Sequence, residues 1–162
     1  MILRLILAIF FISFSKLMAL EFACNFEEVY ADGQTQQGTL LIKNENIRYE
    51  YLDKNLYTII YKNGETTIST NTNRKQANTF NQNDNLIRHL IEITQDYPLL
   101  KNVYNINDFR IIVEKSNEIN FIRRLAIASN DLNLSIYFQN CRSGEILDLY
   151  FQHYPYFRFG FS

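Results

Sequence analysis

Apolar and polar positions alternate along residues 21–30. Phe22, Cys24 and Phe26 fall on one side, and Glu21, Asn25 and Glu27 on the other. A period of two predicts a half-buried strand. Asp32-Gly33 offers a turn, and the alternation then resumes. Leu40 and Ile42 share one face of the next strand. Ile47, Tyr49 and Tyr51 share one face of the strand after it, with Arg48 and Glu50 opposite. Asn44-Glu45-Asn46 joins the two. Leu56 to Lys62 predicts a further strand, and Asn63-Gly64 supplies two residues that tolerate positive φ, the strongest hairpin signal in the chain. Thr66 to Thr70 closes that hairpin. A weaker strand is expected over residues 75–80.

The period then changes. Asn83-Asp84-Asn85 offers capping side chains, Leu86, Ile87, Leu90, Ile91 and Ile93 follow at helical spacing, and Pro98 stops the run. One amphipathic helix is predicted over about residues 85–96. Arg88, Glu92 and Gln95 are placed on its solvent side, and His89 with them. Strands are expected again at 109–115, 121–129, 132–140 and 145–153. The fold class is therefore α+β, mostly β. A strongly curved antiparallel sheet of about ten strands, an incomplete β-barrel, carries one amphipathic helix over its concave face. Residues 20–162 form one domain.

Residues 1–19 read differently. Arg4 makes a positive start, Leu5 to Phe14 is an apolar run, and Ser15 to Ala19 is a cleavage zone. That is the layout of a secretory signal peptide, which implies export to the periplasm. An uncleaved membrane anchor is the alternative. Export bears on the only two cysteines, Cys24 and Cys141: in an oxidising compartment they are expected to form a disulfide. Two free thiols, or acylation of Cys24, are the other readings. The formal net charge of -1 gives no electrostatic case for nucleic acid.

No catalytic set is evident. His89 and His153 lie far apart, no metal-ligand spacing occurs, no Gly-rich loop opens a helix, and no Gly-x-Ser-x-Gly is present. No cofactor is expected. Glu27 and Glu28 are adjacent, so on a strand they point apart, and both are read as surface charges. What remains is an apolar surplus, with 13 Phe and 11 Tyr and strands that are bulky on both faces. A hollow walled by Leu40, Ile42, Tyr49, Tyr51 and Ile60, lidded by Leu86, Leu90 and Ile93, would suit an acyl chain, each buried methylene being worth about 0.8 kcal/mol. A core filled by its own aromatics is the competing expectation.

The run Cys24-Asn25-Phe26, Gly38-Thr39-Leu40-Leu41-Ile42-Lys43, Ile47-Arg48-Tyr49-Glu50-Tyr51 and Ile59-Ile60-Tyr61-Lys62-Asn63-Gly64 resembles the periplasmic outer-membrane lipoprotein carrier family (LolA-like). Leu125-Ala126-Ile127 and Leu134-Ser135-Ile136 fit more loosely. The resemblance covers about residues 22–152. It implies a half-barrel with an apolar cavity for lipoprotein acyl chains, and a monomer that takes cargo from an inner-membrane donor to an outer-membrane acceptor. Arg48 matches an Arg of the family's strand signature and becomes the candidate for lid control and handover. Asn44-Glu45 stands where the family usually has Arg-Pro, and no family-type helix precedes the first strand. Two other functions fit the pattern. One is an envelope adaptor that binds through Tyr154 to Phe161. The other is a small outer-membrane barrel, since Phe157, Phe159 and Phe161 alternate.

Overall fold

The computed structural model describes residues 20–73, 76–80, 86–118 and 121–152. The predicted signal peptide, the helix cap at 83–85, His153 and the aromatic tail lie outside them.

Ten strands form one antiparallel sheet that does not close. They are β1 (Glu21–Tyr30), β2 (Thr35–Lys43), β3 (Asn46–Tyr51), β4 (Tyr57–Lys62), β5 (Glu65–Thr70), β6 (Ala77–Phe80), β7 (Val103–Ile106), β8 (Phe109–Lys115), β9 (Ile122–Ala128) and β10 (Asn133–Ser143). The order across the sheet is β6-β5-β4-β3-β2-β1-β10-β9-β8-β7, so two meanders are joined where β1 pairs with β10. The one α-helix among the described residues, α1 (Leu86–Gln95), lies between them in the chain.

Turn chemistry sets the hairpins. Asn63 and Gly64 take φ of 53° and 85°, Asn44 takes 54° and Asn107 takes 51°. Two positive φ values in a row match the twist of the flanking strands. Register then sorts side chains onto faces. Cys24 pairs with Leu40, Leu40 with Tyr49, and Tyr49 with Ile59. These residues share the inner face, where Ile87, Leu90, Ile91 and Ile93 of α1 join them in the main core. The outer face carries a smaller cluster of Ala23, Leu41, Ile60, Ile146 and Phe151.

One expected strand differs from the structure, and one strand of the structure is not among those expected. Residues 145–152 do not form a strand, and His153 lies outside the described residues. Cys141 to Ser143 still belongs to β10, and the chain then crosses the outer face through a 3-10 turn, Asp148–Phe151. β10 already has β1 on one side and β9 on the other, so it has no free edge to pair with the segment that follows it. Side chains hold it instead. Glu21 accepts from the Ile146 amide at 2.8 Å, and Lys43 donates to the Ile146 carbonyl at 2.7 Å and pairs with Asp148. The Lys43 ammonium holds the Asp148 carboxyl below its ordinary value. The missing tenth strand is β7, four residues paired with β8.

Gly38 is needed where β2 passes Phe26. A Cβ there would land on the Phe26 ring and on the Glu50 carbonyl oxygen. Gly38→Ala is expected to lower stability by about 2–3 kcal/mol, since the ring must leave its place. A shift in the denaturant midpoint at unchanged slope checks it.

Candidate functional site

The inner face is covered unevenly. A ten-residue helix is about 15 Å long, whereas ten strands span about 43 Å at normal spacing. Over the middle of β1, β2 and β8 to β10 the inner-face side chains are buried, among them Phe26, Leu40, Ile111, Leu125 and Ile136. Toward β4 and β5 the cover thins. Tyr51, Ile59, Tyr61 and Ile68 are only partly buried, and Tyr57 is 43% exposed. Register puts all five on the helix side: Gly38 faces Tyr51, Ile47 faces Tyr61, Ile59 faces Ile68, and Tyr57 lies two residues before Ile59. They form one apolar strip that continues the core beyond the helix.

The residues expected to wall a hollow divide into groups. Leu40, Ile42, Tyr49, Leu90 and Ile93 come together on the inner face and are at most 1% exposed. Aromatic rings pack among them: Phe26 stacks on Tyr49 at 3.9 Å between centroids, and Phe22 stacks on Phe121 at 4.4 Å. Tyr51 stands at the border with the strip. Ile60 is on the outer face, because Arg48, not Tyr49, is its partner in register. The side chain of Leu86 lies outside the described residues. Two clefts of about 410 Å³ each lie elsewhere, one beside Cys141 and one between the β4–β5 hairpin and Phe151.

Glu28 is not a surface charge. It is fully buried on the inner face, two residues beyond Phe26. Its Oε1 accepts from the hydroxyl of Tyr49 at 2.7 Å and from that of Tyr51 at 3.1 Å. Its Oε2 accepts from the hydroxyls of Tyr30 at 2.7 Å and Tyr51 at 3.1 Å. A buried carboxylate is tolerable only with such donors. Burial, reinforced by the Glu28 charge, pushes the phenols of Tyr30, Tyr49 and Tyr51 above their ordinary value of 10.0. A raised phenol contributes stability that is whole below pH 10 and is lost as the pH climbs above it. Of the 11 tyrosines, these three are expected to stay protonated past pH 10 and to ionise only as the fold opens. Tyrosinate absorbance recorded against circular dichroism checks this. Ionisation of all 11 before any loss of ellipticity would contradict it.

Arg48 also sits on the outer face, away from α1. Its Nε and Nη2 donate to Glu50 Oε2 at 2.9 and 2.7 Å, and its Nη1 donates to the carbonyls of Tyr150 at 2.9 Å and Gln152 at 3.4 Å. The pair is almost wholly buried. Arg48 therefore fastens the crossing C-terminal segment and does not touch the helix as a lid residue would. His89, expected in solvent, is buried at 1% exposure with its ring 4.9 Å from that of Phe109. The Cys24–Cys141 disulfide is present, with Cα atoms 4.1 Å apart. Among the described residues no helix is long and apolar enough to cross a membrane.

No protein-family model matches the chain, and no curated protein matches it.

Proposed function

We propose that this protein is a non-enzymatic carrier of acyl-bearing cargo in the cell envelope, and that the acyl chain lies on the inner-face strip of Tyr51, Tyr57, Ile59, Tyr61 and Ile68. One observation supports it above the others: the strip is apolar, continuous with the core, and left half-covered by the only helix among the described residues. Contiguous exposed apolar surface of that kind marks binding sites. A chain of about 16 carbons, near 20 Å long, matches a strand of six residues at about 3.3 Å each. The lipoprotein carrier resemblance assigns the cargo as lipoprotein acyl chains, taken from an inner-membrane donor and delivered to an outer-membrane acceptor by a periplasmic monomer. The N-terminal signal pattern and the disulfide are consistent with that compartment.

The ring stacks of Phe22, Phe26, Tyr49 and Phe121 favour a second function, an adaptor with a filled core. An outer-membrane barrel gains no support, because an open sheet leaves edge groups that a bilayer does not satisfy.

A fluorescent fatty acid separates the first two. The delipidated mature chain is expected to bind it, and Ile59→Asp, which places a charge in the half-buried strip, is expected to weaken binding about tenfold or more while the fold persists. Absence of uptake by the wild-type chain would leave the adaptor as the function.

A further inference from the structure

We propose that Cys141 is the entry sulfur for thiol–disulfide exchange on this protein, and that the cleft beside it receives the reactive cysteine of a thiol–disulfide oxidoreductase. The two sulfurs of the bond are not equivalent. Cys24 is fully buried in the main core. Cys141 is only partly buried and lines a cleft of about 410 Å³ with Ser116, Asn117, Glu118, Arg123 and Asn140.

A bulge produces the asymmetry. Ala23 pairs with Arg142, and Asn25 pairs with Gln139, so Asn140 and Cys141 together stand opposite Cys24. Two residues against one bend a strand and redirect its side chains, and Asn140 takes a φ of 51° to do so. The bulge thus puts one end of the disulfide in the core and the other at a polar opening. Arg123 is exposed on the rim and offers a cation to an incoming thiolate, with Glu118 as the anion there.

Exchange requires a thiolate to reach one sulfur of the bond and expel the other. In the folded protein that sulfur is Cys141. During oxidation, the Cys141 thiolate attacks the partner's disulfide, forms a mixed disulfide and releases one partner thiolate. The Cys24 thiolate then attacks the Cys141 sulfur and expels the second partner thiolate. Two protein thiols become one disulfide, one partner disulfide becomes two thiols, and the two protons leaving the protein thiols are taken up, through solvent, by the partner's two thiolates. Reduction follows the same path in reverse.

The test uses the disulfide-bonded wild-type chain and reduced glutathione under native conditions. The reaction is acid-quenched, free thiols are alkylated, and peptides are mapped by mass spectrometry. The glutathionyl group is expected on Cys141 over Cys24 by about tenfold or more, with Cys24 recovered as the alkylated thiol. In denaturant the ratio is expected to fall close to one. Equal adducts in the native protein, excess on Cys24, no adduct at either cysteine, or a preference that persists in denaturant would each overturn the assignment.

Discussion

Arg48→Ala is expected to destabilise the protein by about 3–5 kcal/mol, the usual cost of breaking a buried ion pair by removing one partner. The substitution withdraws both donors from Glu50 Oε2 and releases the Tyr150 and Gln152 carbonyls that fasten the C-terminal crossing. Arg48→Lys is expected to recover only part of the loss, since an ammonium lacks the fork that serves a carboxylate and a carbonyl at once. Chemical denaturation measures both variants. The same experiment decides between two roles for this side chain. A handover residue would leave stability nearly intact and change cargo release. The geometry predicts the reverse: large loss of stability, with fatty-acid affinity unchanged in whatever fraction remains folded, because Arg48 and the strip lie on opposite faces of the sheet.

Replacing Cys24 and Cys141 together by Ala is expected to cost about 4–5 kcal/mol in the chain-entropy account, because the bond closes a loop across a sequence separation of 117. The position adds to the effect. The bridge ties β1 to β10, the one pairing that joins the two meanders. Without it, strands from opposite ends of the chain must find each other unaided, which slows folding as well as lowering stability. Equilibrium and stopped-flow unfolding of the wild-type chain with and without reductant check both parts. A loss below about 1 kcal/mol would show that the pairing of β1 with β10 is sufficient alone.

Much of the sheet is legible in the chain because it is written locally. Alternation marks β1 to β5 and β8 to β10, and Asn63-Gly64 marks its hairpin. The features that escape are set by partners far away. Leu147, Leu149 and Phe151 alternate like a strand, yet the neighbours of β10 are already in place, so the segment crosses the outer face. Val103–Ile106 is short and buries only Tyr104, which is too little to register as a period. Ile60 is expected on the inner face, but the register of β3 with β4 gives Ile59 that place. A single residue of register exchanges the faces. His89 stands one turn before Ile93 and therefore belongs to the buried flank of the stripe.

Glu28 had a signal that adjacency to Glu27 obscured. Its parity matches Phe26 and Tyr30, so it points inward, and the tyrosines at 49 and 51 provide the hydroxyls that make a buried carboxylate tolerable. The strip itself was half-legible. Tyr51 is legible from its parity with Tyr49, whereas Tyr57, Ile59, Tyr61 and Ile68 follow only once the register of β3, β4 and β5 is known.

Photo-crosslinking with a diazirine-bearing palmitate, followed by peptide mapping, tests the acyl site most directly. Adducts are expected on the β3 to β5 inner face, at Tyr51, Tyr57, Ile59, Tyr61 and Ile68, and competition by unlabelled palmitate is expected to remove them. Adducts confined to the outer face around Ile60 and Phe151, or none that palmitate displaces, would contradict the carrier proposal.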